Sequence, residues 1–189
     1  SATLTVSFSN PSALQVDVDY ATDDGTATTA DSDYTSVSAT TLSFAAGETS
    51  QDVTIDSTSD TTDEVDETLT VTLSNPSNGT LDTGDDLGNA ASADNVATVT
   101  ITNDDNPPSV YISDPAASDE DSAGSLAFTV TLSNASSSDV TVNYASADDT
   151  ATTGGASAAG GADYTATSGT LTISAGSTTE PTTGAVPVG

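Results

Sequence analysis

The sequence predicts an all-β protein of antiparallel sheets packed as sandwiches, in two tandem copies. Three observations lead there. Apolar residues alternate strictly with Thr, Ser and Asp in many short runs, no segment sustains a 3.6-residue apolar period, and a long stretch of the chain recurs. The runs come in chain order. TLTVSFS puts Leu4, Val6 and Phe8 on one face, and LQVDVDY does the same with Leu14, Val16, Val18 and Tyr20. TLTVTLS follows with Leu69, Val71 and Leu73, then ATVTIT with Val99 and Ile101. SVYIS (Val110, Ile112), LAFTVTLS (Leu126, Phe128, Val130, Leu132), VTVNY (Val140, Val142, Tyr144) and TLTIS (Leu171, Ile173) complete the set. Period-two alternation buries one face and wets the other, and the Thr of the wet face suits strands.

The repeat sets the domain organisation. VSFSNPSALQVDVDYATDDGTATTADSDYTS, from Val6, matches VTLSNASSSDVTVNYASADDTATTGGASAAGGADYTA, from Val130. Asn10 and Asn134, and Tyr20 and Tyr144, lie 124 positions apart. Asp33-Tyr34 and Asp163-Tyr164 lie 130 apart, so the second copy carries six extra residues in a Gly/Ala-rich loop. A period this long means tandem domains rather than a solenoid. The boundary falls in NDDNPPS, where Pro107-Pro108 favours a stiff, extended link. Residues 1–106 form repeat one and 107–189 repeat two, the first expected to lack its first strand and the second its C-terminal strands.

Composition narrows the chemistry. The 189 residues hold 29 Asp and Glu, no Lys, Arg or His, and no Cys. A surface of net charge −29 repels nucleic acid and anionic lipid. Without Cys and His, zinc and iron–sulfur sites of the usual kind are excluded, and no base exists for a nucleophilic triad. Carboxylate pairs that cleave glycosides usually sit beside aromatic platforms, whereas this chain has five Tyr, three Phe and no Trp. An enzyme is therefore not expected, nor insertion into a membrane, since no apolar run nears the roughly 20 residues of a spanning helix. Leu, Ile, Val and Phe make up about 17% of the chain, a composition on the edge of disorder at this charge. An added stabiliser such as a metal ion is thus reasonable.

The motifs VDYATDDGTATTADSDYTS, TLSFAAGETSQDVTIDSTSDTTDEVDETLTVTLSNPSNGTL and TVTITNDD, in that order, resemble the Calx-beta family. The resemblance covers nearly the whole chain. It implies an immunoglobulin-like sandwich with a Ca2+ site in the loops at one end. It also implies the ligands. The Asp before Tyr corresponds to Asp33 in repeat one and Asp163 in repeat two. The acidic loop supplies Asp60 and Glu64. The closing Asp run corresponds to Asn103, Asp104 and Asp105, one carboxylate short. The family's early Glu matches Glu120 of repeat two. Repeat one keeps most of the set, and repeat two keeps Glu120 and Asp163.

The residues themselves point the same way. DSTSDTTDEVDET, Asp56 to Thr68, holds six carboxylates. An acidic run by itself is more often a solvated face than a site. Converging carboxylates with no cationic side chain must nevertheless splay apart, take up a proton or bind a cation, and Ca2+ prefers oxygen ligands. Asp17 and Asp19 read as solubility residues on a wet face, Asp85-Asp86 as loop, Asp148-Asp149 as turn, and Tyr34 and Tyr164 as core anchors. The expected role is a calcium-binding structural repeat of a large secreted surface protein, in an adhesin stalk or extracellular fibre, with calcium stiffening the joint near Pro107-Pro108. Its partners would be neighbouring repeats or copies of the same protein, joined by strand donation. A calcium-sensing module of a receptor-like protein and a metal-free spacer are the alternatives.

Overall fold

The structure, a computed structural model, describes residues 1–82, 95–117, 124–153, 163–181 and 186–188. These residues contain strands and no helix. They fall into two compact units, Ser1–Asp60 with Val65–Asn103, and Asp104–Gly189 with the short run Thr61–Glu64.

The first unit has six strands: β1 (Ala2–Ser7), β2 (Val16–Asp24), β3 (Thr40–Phe44), β4 (Ser50–Ile55), β5 (Glu67–Ser77) and β6 (Val96–Ile101). An antiparallel β1-β4 pair faces an antiparallel sheet ordered β3-β2-β5-β6. The inward side chains of both sheets form the core, with Ile55 of β4 meeting Leu69, Val71 and Val99, joined by Ala27 and Tyr34. A second cluster joins Val16, Val18 and Phe44, with Phe8 set edge-on to Phe44 at 4.5 Å between ring centroids. Phe44 is fully buried, which at about 25 cal/mol per Å² makes it one of the larger single contributions to this core. A register shift between Asp17 and Asp19 bulges β2 against β5.

The second unit has β7 (Val110–Ile112), β8 (Gly124–Leu126), β9 (Thr129–Leu132), β10 (Val140–Ala145), β11 (Ser168–Ile173), β12 (Thr179–Pro181) and β13 (Val186–Val188). Its antiparallel sheets are ordered β12-β9-β7, β10-β11 and β13-β8. Val130 and Leu132 of β9 meet Leu171 and Ile173 of β11 in its core.

The repeat is kept bond for bond. The Phe8 N–H donates to the Thr49 carbonyl at 2.8 Å, and the Leu132 N–H donates to Thr178 at 2.7 Å. Gly47 and Gly176, both at positive φ, turn the chain and donate to Ser12 and Ser136 at 2.8 Å each. Thus β1, β2, β3 and β4 correspond to β9, β10, β11 and β12. Two features go beyond the alternation. β3 and β4 each contribute two inward apolar residues (Leu42 and Phe44, Val53 and Ile55) that the apolar runs given above do not include. LAFTVTLS is two strands, since β8 pairs with β13 while β9 pairs with β7 and β12.

Candidate metal centre

At one end of the first unit, β2 finishes at Asp24 opposite Leu69, and β5 starts at Glu67 opposite Ile101 of β6. Gly25 fits here because the chain passes against β5: a Cβ would lie 2.3 Å from the Thr68 carbonyl oxygen. That oxygen accepts the Ala27 N–H at 2.9 Å, and the Thr26 hydroxyl oxygen accepts the Thr68 N–H at 2.8 Å.

The next turn carries Asp33, whose side chain is buried. Its Oδ2 accepts the Thr28 N–H at 2.6 Å, while its own N–H donates to the Thr28 carbonyl at 3.1 Å. Ser32, at φ 74°, takes the left-handed conformation that tightens the turn. Asp33's carbonyl receives the Thr58 N–H at 2.9 Å, so the stretch of chain just after β4 is laid against the turn. Tyr34 is buried and donates its hydroxyl to Asp24 Oδ1 at 2.7 Å, the same oxygen that accepts the Thr29 N–H at 3.1 Å. Burial first, then the Asp24 carboxylate, raises the Tyr34 phenol above its ordinary pKa.

Repeat two rebuilds this clasp. Asp163 Oδ2 accepts the Thr152 N–H at 2.8 Å, and Tyr164 donates to Asp148 Oδ1 at 2.8 Å. There the hydrogen bond to Asp148, then burial, raises the Tyr164 phenol, and that same bond holds Asp148 below the usual carboxylate range. Both tyrosines are therefore core anchors, as expected, and Asp148 is the hydrogen-bond partner of one rather than a bare turn residue.

Among the described residues, three acidic side chains come together: Asp33, buried, with Glu64 and Glu67, half-buried. One carboxylate oxygen from each lies within 4.8 Å of the others. Two unit charges that close repel by about 3 kcal/mol at an effective dielectric near 20, and no cationic side chain exists to offset it. Three oxygens so placed suit a hard divalent cation, which takes six to eight oxygens and fills its shell with carbonyls and water.

Of the seven residues expected as ligands, Asp33 and Glu64 belong to this group. Asp60 and Asp104 are exposed and Asp105 half-buried, all outside it. Asp163 holds Thr152 without joining a group of three among the described residues. Glu120, like Asp85-Asp86, lies outside the described residues. Glu67 is the member the sequence reading missed. It follows Glu64 by three positions in the same acidic run, but only the Glu67–Ile101 register brings it to the end of the sheet beside Asp33. Asp66 also holds this end, accepting the Asn103 N–H at 2.9 Å.

The family model described as the Calx-beta domain matches residues 1–105 and again 103–186. Among curated proteins none matches. Among solved structures, the calcium binding domain CBD12 of CALX1.1 is 23% identical with a TM-score of 0.45, the match covering 95% of this chain and 66% of that one. CBD12 from CALX1.2 is also 23% identical, with a TM-score of 0.46 and coverage of 99% and 67%. The apo form of the Calx CBD1 domain is 32% identical over 49% of this chain and 73% of its own, with a TM-score of 0.40. The chain thus spans about two thirds of the length of the first two.

Proposed function

The chain belongs to the Calx-beta domain family, and from that premise we propose that it is a calcium-binding, non-catalytic structural module of an extracellular protein. The observation that carries this reading is the three-carboxylate group around buried Asp33 in a chain without a single cationic side chain. Asp33, Glu64 and Glu67 would hold Ca2+, whose charge offsets their mutual repulsion. The backbone clasp of Thr28 on Asp33 positions one ligand before the ion arrives. Because the ligands come from different stretches of chain, ion binding favours the folded state over the unfolded one. The role is extension and stiffness in a stalk or fibre, among neighbouring repeats or further copies. No described helix is long and apolar enough to cross a membrane.

A calcium titration followed by thermal unfolding tests this reading. Calcium should raise the unfolding midpoint, and a chelator should reverse the rise. Half-saturation at roughly 10⁻⁴ to 10⁻³ M fits an extracellular structural module, whereas roughly 10⁻⁷ to 10⁻⁵ M would favour a sensor. Glu67→Gln should remove most of the shift. A midpoint indifferent to calcium would leave a metal-free spacer as the better reading.

A further inference from the structure

An asparagine side chain is open to attack by the backbone nitrogen of the next residue. A Cβ on that residue obstructs the approach, so Asn-Gly is the most reactive pairing. Asn78-Gly79 is the single such pair in the chain. Asn10, Asn75 and Asn106 precede Pro, whose nitrogen has no proton to lose. Asn134 precedes Ala, and its amide is held by the Asn106 carbonyl at 3.0 Å and the Ala135 carbonyl at 3.2 Å. Asn143 lies inside β10, where the ladder fixes the backbone.

The fold leaves the reactive pair open. β5 ends at Ser77, opposite Asp17 of β2, and Asn78 follows in the left-handed conformation, φ 55°. Asn78, Gly79 and Thr80 are exposed. Among the described residues nothing accepts the Gly79 N–H, so no hydrogen bond has to break before that nitrogen reacts. The same turn is nevertheless structural. Asn78 Nδ2 donates to the Gln15 carbonyl at 3.0 Å, tying the end of β5 to the residue before β2. Gly79 lies against Val16, where a Cβ would come 3.2 Å from Cγ1, and Val16 is buried with Val18 and Phe44.

We propose that Asn78-Gly79 is a self-modification site, converting to aspartate and isoaspartate in the folded protein with water as the only co-reactant. Solvent base takes the Gly79 amide proton, and the nitrogen bonds to Asn78 Cγ. The adduct expels ammonia, which takes its extra proton from solvent, and a cyclic succinimide remains. Water then adds to one of the two ring carbonyls. Breaking the bond from nitrogen to Cγ gives aspartate, and breaking the bond to the backbone carbonyl carbon gives isoaspartate. In both cases the nitrogen recovers its proton. Either product replaces the donor to Gln15 with an acceptor and adds a negative charge to a chain without a cation to offset it. Isoaspartate also routes the main chain through Cβ, lengthening it beside Val16. The change accumulates with age and loosens the end of β5 from β2.

Ageing the full chain at mildly alkaline pH, with chelator present, tests the proposal independently of calcium. Chymotrypsin, cutting after Leu73 and Leu81, releases residues 74–81, which carry both Asn75 and Asn78. Mass spectrometry should find acid at position 78, as aspartate and isoaspartate, while Asn75 stays an amide. The folded chain should convert within roughly tenfold of the rate of the free 74–81 peptide, since no burial or hydrogen bond has to open first. Gly79→Ala should slow conversion severalfold. Should that variant misfold, Asn78→Gln, whose extra methylene disfavours ring closure, should still stop it. The more acidic fraction, separated by anion exchange, should unfold at a lower midpoint than the unaged chain. An amide kept at position 78 of the folded chain while the free peptide converts overturns the proposal. So does aspartate formed without isoaspartate, which means direct hydrolysis. An aged fraction with an unaltered midpoint overturns the loosening of β5.

Discussion

Asp19 sits on the outer face of β2, where alternation alone makes it a solvated charge. It binds on both sides instead: Oδ1 accepts the Thr41 hydroxyl at 2.6 Å and Oδ2 the Asn75 amide at 3.1 Å, linking β2 to β3 and β5. Asn75 reaches it from a left-handed backbone, φ 49°. Asp17 is similar, held by Ser43 and Gln15. Where other proteins pair carboxylates with Lys or Arg, this one pairs them with Thr, Ser and amide donors. Thr41 first, and Asn75 second, hold the Asp19 carboxyl below its ordinary value of 3.8. A carboxylate with a lowered folded pKa contributes stability above its unfolded pKa and loses it as pH falls through the folded one. The gap in unfolding midpoint between wild type and Asp19→Asn should therefore be widest at neutral pH and shrink in acid below the usual carboxylate range. A pH-independent gap in thermal unfolding would refute this account.

At the level of elements, the two copies differ where β2 and β10 end. Gly25 lies against the Thr68 carbonyl, while the equivalent residue of the second copy is Asp149, whose N–H donates to the Ala151 carbonyl at 3.2 Å as Gly25's does to Ala27 at 3.1 Å. The turn is thus the same, and only the approach of β5 demands glycine in the first. Gly25→Ala forces a Cβ into a backbone oxygen and should cost at least about 1 to 3 kcal/mol, as overpacking does. Asp149→Ala should cost under about 0.5 kcal/mol, as ordinary surface changes do. Chemical denaturation of both variants tests the contrast, and equal losses would count against it. The paired clasps Asp33–Thr28 and Asp163–Thr152 likewise belong to the turn itself, since both copies build them.

For the molecule as a whole, a charge of −29 with no internal cation makes the solvent's ions part of its stability. Monovalent salt shortens the screening length from about 30 Å at 0.01 M to about 3 Å at 1 M. With chelator present, the unfolding midpoint should climb over that range of sodium chloride, because repulsion is greater in the compact state. A flat or falling midpoint would mean that the charges are already well separated. What the sequence determined by itself is what repeats along the chain: the all-β class from the period-two apolar pattern, the tandem organisation from the offsets of 124 and 130 residues, and the acidic, cation-free chemistry from composition. Motif resemblance further singled out Asp33 and Glu64. Only the tertiary structure decided that Glu67 completes their group while Asp60, Asp104 and Asp105 stand outside it. The reason is physical. Alternation along a strand is a local property of the chain. Which carboxylates meet depends on strand register and sheet order, set by the packing of residues far apart in sequence.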